Sequence, residues 1–130
     1  MKRLVLDVDG TFCHSETGKY QSAEVIESVK NQIVSYRNAG FEIVLFTSRN
    51  VRTYSSNLGK INAFTLPTLV SWLNANGVPY DEIYMGKPWC GDEGFYVDDK
   101  AIRPDEFVEL SYEEIKTLIH ASSQRLNDPG

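Results

Sequence analysis

The sequence predicts an α/β fold built on a mainly parallel sheet, and three observations point there. Two short runs rich in Val, Leu and Ile, "RLVLDV" at 3–8 and "FEIVLF" at 41–46, read as strands buried on both faces, the usual pattern in parallel sheets. Between them, "AEVIESVKNQIVSYRNAG" repeats Val25, Ile26, Val29, Ile33 and Tyr36 at helical spacing. Strand, helix and strand in that order make a crossover, which in a parallel sheet is right-handed.

Each element has a local cause. Ser22 is the expected N-cap of the first helix and Gly40 its stop. "TSRNVRTYSSNLGKINAF" has little periodicity and reads as a long loop, a class of connection that in compact domains is usually functional or disordered. The helix "LPTLVSWLNANG" follows, with Pro67 near its first turn, Leu66, Leu69, Val70 and Leu73 on one face, and Asn76-Gly77 to end it. "DEIYM" is a third strand and "FYV" at 95–97 a fourth, separated by the loop "GKPWCGDEG". The last helix begins at Ser111, where "SYEE" has the spacing of a capping box, and runs through Ile115, Leu118 and Ile119. Residues 1–122 are expected to form one domain and 123–130 a polar, fraying tail.

Composition narrows the function classes. With 130 residues, 42% of them hydrophobic, the chain can bury a core of its own. Thirteen Lys and Arg against eighteen Asp and Glu leave a net charge of -5, which argues against a partner held by a nucleic-acid backbone. Cys13 and Cys90 fit no metal or disulfide spacing and read as free thiols of a reducing compartment. No apolar run approaches the ~18 residues of a membrane span. The expectation is a cytoplasmic protein, without membrane or nucleic-acid partners, acting on a small molecule.

The unusual polar residues collect at strand ends, where open parallel sheets bind ligands. Asp7 and Asp9 close the first strand, Thr47 and Ser48 the second, Lys87 follows the third, and Asp98 and Asp99 close the fourth. Side chains in a strand repeat every two residues, so Asp7 and Asp9 can face the same way. A single carboxylate at a strand end can cap a neighbouring helix or loop, but clustered like charges are costly and call for a cation. Hard oxygen donors with few carboxylates suit Mg2+. A cation, a lysine and a hydroxyl together form a receptor for a phosphoryl group, with one carboxylate placed to attack phosphorus and another to move a proton.

In that order and spacing, "DVDGT", "FEIVLFTSR", the Lys87 of "GKP" and "FYVDD" resemble the four motifs of the haloacid dehalogenase superfamily. The resemblance spans Lys2 to about Ile102 and implies a three-layer α/β/α, Rossmann-like domain. It also implies roles. Asp7 would be the nucleophile, forming an aspartyl-phosphate, and Asp9 the acid and base. Thr47 and Lys87 would hold the transferring group, with Thr11 and Ser48 as further substrate contacts. Mg2+ would be held by the Asp7 carboxylate, the backbone carbonyl of Asp9 and Asp98, with Asp99 as second ligand or outer-shell support. Apart from the resemblance, Arg49 and Arg52, three apart in the long loop, read equally as holders of a distal anionic or hydroxylated part of the substrate and as a solvated charge pair. An aspartate at position 9 is the phosphatase pattern; dehalogenases of the superfamily lack it. "TSRNVRTYSSNLGKIN", "YDEIYMGKPWCG" and "FYVDDKAIRPDEF" further resemble a subgroup of capsule or surface-polysaccharide biosynthesis phosphatases, implying a sugar or polyol phosphate as substrate.

The rival readings are a phosphoacceptor receiver domain for signalling and a non-catalytic binder of phosphorylated ligands. A receiver places its lysine last and a lone acceptor aspartate mid-chain, whereas here Lys87 precedes Asp98 and Asp99. No stretch is long enough for an inserted cap domain. The wall of the site is therefore expected from the 12–20 loop, the 49–60 loop or a neighbouring subunit in a homo-oligomer.

Overall fold

In the computed structural model, which describes residues 1–16 and 19–127, the chain groups into two compact units, Met1–Trp89 and Cys90–Gly130. The fold is mixed α/β. In the first unit, β1 (Arg3–Asp7) is followed by a small antiparallel pair, β2 (Cys13–His14) and β3 (Glu24–Val25). The chain continues through α1 (Glu27–Asn38), β4 (Glu42–Thr47), α2 (Leu58–Lys60), a π-helical turn at Ile61–Thr65, α3 (Leu66–Asn76) and β5 (Glu82–Met85). The main sheet is parallel, in the order β1-β4-β5, with Asp7 level with Phe46 and Phe46 level with Tyr84. That register brings the carboxyl ends of the strands to one edge.

Both crossovers step in the same direction across the sheet. The right-handed rule then puts α1 and α3 on the same face. Leu6, Ile43 and Leu45 are buried, and Val44 is buried too. Val5 is 55% exposed, so β1 is not covered on both faces as expected. Phe12, Ile33, Ile61, Leu69 and Leu73 complete the core, each fully buried large side chain contributing about 1.5–3 kcal/mol. The Trp72 indole packs on Phe12, with ring centroids 6.2 Å apart.

Two expectations on local structure are corrected. Ser22 does not cap α1: that helix starts at Glu27 behind Ile26, with no side-chain cap, and the Ser22 hydroxyl instead donates to the Lys19 carbonyl at 3.2 Å. The cause is the β2–β3 pair, which takes up residues 24 and 25 that an apolar pattern had placed in the helix. The stretch 47–64 is also not a loop throughout. Turns occupy 49–56, and a continuous helical run then starts at Leu58, capped by the Asn57 side chain, which accepts from the Lys60 N–H at 3.1 Å. Pro67 lacks an N–H, and its ring would press on the carbonyl four residues earlier. The π turn just ahead of it widens the helix where an α-helical ladder could not continue. Gly77 ends α3 as expected, in the left-handed conformation at φ +68°.

The second unit contains α4 (Pro104–Glu109) and α5 (Tyr112–Asn127). The capping box at Ser111 is formed: the Ser111 N–H donates to Glu114 Oε1 at 2.9 Å and the Glu114 N–H to Ser111 Oγ at 3.2 Å. Hydrogen bonding to the carboxyl from the Ser111 backbone N–H, and then from its hydroxyl, holds Glu114 below its ordinary value. Residues 95–97 do not form a strand, and Phe95 and Val97 are 80% and 88% exposed. The run pairs with none of the described strands, and strand-like composition without a ladder does not make a strand. The expected tail is helical through Asn127, and residues 128–130 lie outside the described ones.

Candidate functional site

Asp7 ends β1 at the carboxyl edge of the sheet and is only partly exposed. Lys87 Nζ lies 3.4 Å from its Oδ1, and the Thr11 hydroxyl donates to Oδ2 at 3.3 Å. Lys87 is placed by its backbone, since its N–H donates to the Thr47 carbonyl at 3.0 Å, one step beyond the β4–β5 pairing. Gly86, just before it, has φ +84°, and a Cβ there would collide with the Leu58 side chain. The Lys87 ammonium also sits 4.2 Å from the centroid of the Phe46 ring. Burial pushes the Asp7 carboxyl up, and Lys87 only partly offsets this. At 3.4 Å the pair is looser than the ~2.8 Å of a tight charge-assisted hydrogen bond. The negative charge of Asp7 is thus incompletely answered within this unit.

Two residues on, Asp9 is held by Arg49. Arg49 Nε reaches Asp9 Oδ2 at 2.8 Å and Nη2 reaches Oδ1 at 2.9 Å, a two-pronged pair. Arg49 is only 2% exposed. Burial works against its charge, but the hydrogen bonds and charge of Asp9 outweigh it and raise the Arg49 pKa. The Tyr20 ring covers the guanidinium, 4.4 Å from Cζ to the ring centroid. Arg49 Nη1 is buried with no hydrogen-bond partner among the described residues, a situation that costs about 1–3 kcal/mol. Thr47, 1% exposed, accepts the Arg49 N–H on its Oγ1 at 3.1 Å, which keeps its own proton available for donation.

Cys13 joins this second cluster. Its thiol donates to the Val8 carbonyl at 3.7 Å and to Asp9 Oδ1 at 3.6 Å, and burial together with Asp9 pushes it up to about 12. A thiol so protonated is a poor nucleophile. Beside Arg49 opens a cleft of about 550 Å³.

The expected residues therefore divide. Asp7, Thr11 and Lys87 meet in one group, and Asp9, Thr47 and Arg49 in the adjoining one. The Ser48 carbonyl accepts the Val51 N–H at 3.1 Å and shapes the turn. Arg52 is exposed, and its side chain enters none of these hydrogen bonds. Asp98 and Asp99 belong to the second unit, where both are exposed and Asp98 Oδ1 accepts the Lys100 N–H at 2.8 Å. Among the described residues, no group of three or more His, Cys, Asp or Glu side chains is gathered as a ready metal cage. Sequence reasoning missed Tyr20 as the cover of Arg49, and it missed Phe64 and Thr65 beside the cleft. Helical spacing at 58–65 was the available signal, hidden by the polar turn before it.

Fold and cluster together define an α/β protein whose parallel sheet presents paired acids, a lysine and an arginine at the edge where such sheets bind ligands. Among solved structures, the chain is similar to a structural-genomics target from Vibrio cholerae, 48% identical, covering 94% of this chain and 99% of that one, with a TM-score of 0.91. The chain belongs to the family of that Vibrio cholerae protein. No family model matches, and no curated protein does. No helix among the described residues is long and apolar enough to cross a membrane.

Proposed function

We propose that the protein is a Mg2+-dependent phosphomonoester hydrolase of the haloacid dehalogenase type, acting through an aspartyl-phosphate. The observation that carries the reading is the Asp7–Lys87 pair at the carboxyl edge of a parallel sheet, with Asp9 two residues on. In this proposal Asp7 attacks phosphorus, and Asp9 gives its proton to the leaving alcohol oxygen as the P–O bond breaks. Asp9 then takes a proton from water, which attacks the aspartyl-phosphate and returns free phosphate and the Asp7 carboxylate. Lys87 and the Thr47 proton hold the phosphoryl oxygens, and Arg49 orients Asp9.

The donors present suit Mg2+, because they are hard oxygens and the Asp7 charge is only partly offset by Lys87. Of the first unit, the Asp7 carboxylate and the backbone carbonyl of Asp9 would hold it. When bound, the ion would neutralise charge on the phosphoryl oxygens. The three-layer form of the fold, a cytoplasmic location and a sugar or polyol phosphate of surface-polysaccharide synthesis as substrate belong to the same proposal. It is supported by the order of the four motifs along the chain.

The test is turnover of para-nitrophenyl phosphate and of a panel of sugar and polyol phosphates, with and without a chelator. Chelator-sensitive release of phosphate is expected. Absence of turnover on every compound with Mg2+ supplied would overturn the reading.

A further inference from the structure

The cleft beside Arg49 lies wholly in the first unit. Among the described residues, Lys19 and Arg49 are its charged lining residues, each paired with a carboxylate outside that lining, Lys19 with Glu16 at 2.9 Å and Arg49 with Asp9. Aromatic surface comes from Tyr20 and Phe64, the latter 62% exposed, and hydroxyls from Thr65 and Thr68. The Thr65 hydroxyl donates to Asn50 Oδ1 at 2.7 Å, which pins the π turn to the turn after β4 and holds that side of the cleft in place. Arg49 itself spans two places. Its Nε and Nη2 hold Asp9, while Nη1, on the remaining corner of the same planar group, is buried without a partner. Native proteins seldom leave a buried donor unpaired, and a guanidinium is shaped to bind two carboxylates at once.

We propose that this cleft receives the alcohol half of the substrate, that this half is hydroxylated and carries a carboxylate, and that Arg49 Nη1 recognises the carboxylate. The proposal rests on the hydrolase reading and adds the substrate class to it. One guanidinium then joins recognition to chemistry: the corner that reads the leaving group belongs to the group that positions Asp9. Tyr20, stacked on Arg49, moves aside or stacks on the ligand. Phosphate esters of neutral alcohols bind the same phosphoryl site but leave Nη1 unpaired.

The experiment compares kcat/KM on two matched pairs, glucose 1-phosphate with glucuronic acid 1-phosphate, and glycerol 3-phosphate with 3-phosphoglycerate. The acid member is expected to be favoured at least 10-fold in one pair or both. In Arg49→Lys, which cannot pair with two acids at fixed geometry, that preference falls below about 2-fold. Thr68→Trp, a change on a partly exposed residue that fills the cleft, reduces kcat/KM on the favoured acid at least 10-fold relative to para-nitrophenyl phosphate. Equal or reversed preference in both pairs, with para-nitrophenyl phosphate turned over, overturns the cleft assignment and leaves the hydrolase reading standing. A preference that survives in both Arg49→Lys and Thr68→Trp also overturns it. No turnover of any phosphate ester overturns the hydrolase reading and the cleft assignment with it.

Discussion

Trp72 Nε1 donates to the Ala23 carbonyl at 2.8 Å, tying α3 to the segment just after Tyr20. This single buried bond links the wall of the cleft to the turn that covers Arg49. Replacing the indole by a phenyl ring keeps most of the packing on Phe12 and leaves the Ala23 carbonyl unpaired. Trp72→Phe is expected to cost about 1–3 kcal/mol in urea unfolding. An unchanged midpoint and slope would show that the bond contributes nothing.

The paired acids are expected to differ in weight. Asp7→Asn should abolish turnover while the circular dichroism and melting of the protein stay near wild type. Asp9→Asn should slow it by about 10²-fold or more, the scale of general acid-base catalysis. Normal activity in Asp7→Asn would remove it as nucleophile.

Cys13 and Cys90 should respond oppositely to a thiol reagent. Cys13 is buried and pushed up to about 12, whereas Cys90 is partly exposed. Iodoacetamide at neutral pH should label Cys90 alone, read by mass spectrometry of the native protein. The folded value of Cys13 lies above the ordinary thiol value of 9.0, so its contribution to stability is intact below that pH. That contribution is lost as pH rises from about 9 towards 12, because the unfolded chain gives up the proton first. Cys13→Ser should flatten that part of the stability profile.

Asn50 adopts φ +58°, a left-handed conformation that costs most residues about 1–2 kcal/mol. Its side chain also accepts the Thr65 hydroxyl. Asn50→Gly loses that bond and the one its Nδ2 donates to Thr53 Oγ1 at 3.3 Å, whereas Asn50→Ala loses both bonds and takes on the strain. Chemical denaturation should rank wild type above Gly and Gly above Ala, with about 1 kcal/mol between the last two.

Ser111→Ala should remove one arm of the capping box and destabilise α5 by about 0.5–2 kcal/mol. Hydrogen exchange in the first turn of α5 reads this directly, and unchanged protection there would contradict it.

Much of this architecture is legible in the residues because its signals are local. Apolar runs mark β1, β4 and β5, Gly77 marks the end of α3, and the "SYEE" spacing marks the start of α5. What escaped was set by tertiary contact. Residues 24 and 25 have helical periodicity but pair with β2, and the "FYV" run has strand composition without a ladder. Helix α4 carried signals that went unread, with Pro104 in its first turn and Asp105 and Glu106 beside it. Motif order put Asp7 and Lys87 in one group. The grip of Arg49 on Asp9 spans 40 positions, and no local pattern announces it.

The π turn at Ile61–Thr65 means that this stretch is governed by its length as well as its composition. The turn holds one residue more than an α-helical turn directly ahead of Pro67, so a deletion there, at exposed Ala63 for instance, leaves the proline ring pressing on the carbonyl before it. Ile61, fully buried, and Thr65, bonded to Asn50, then lose the wide turn that places them. The segment that looks most like a permissive loop is therefore among the least tolerant of a lost residue, and relatives with the same cleft should keep its residue count while varying its side chains.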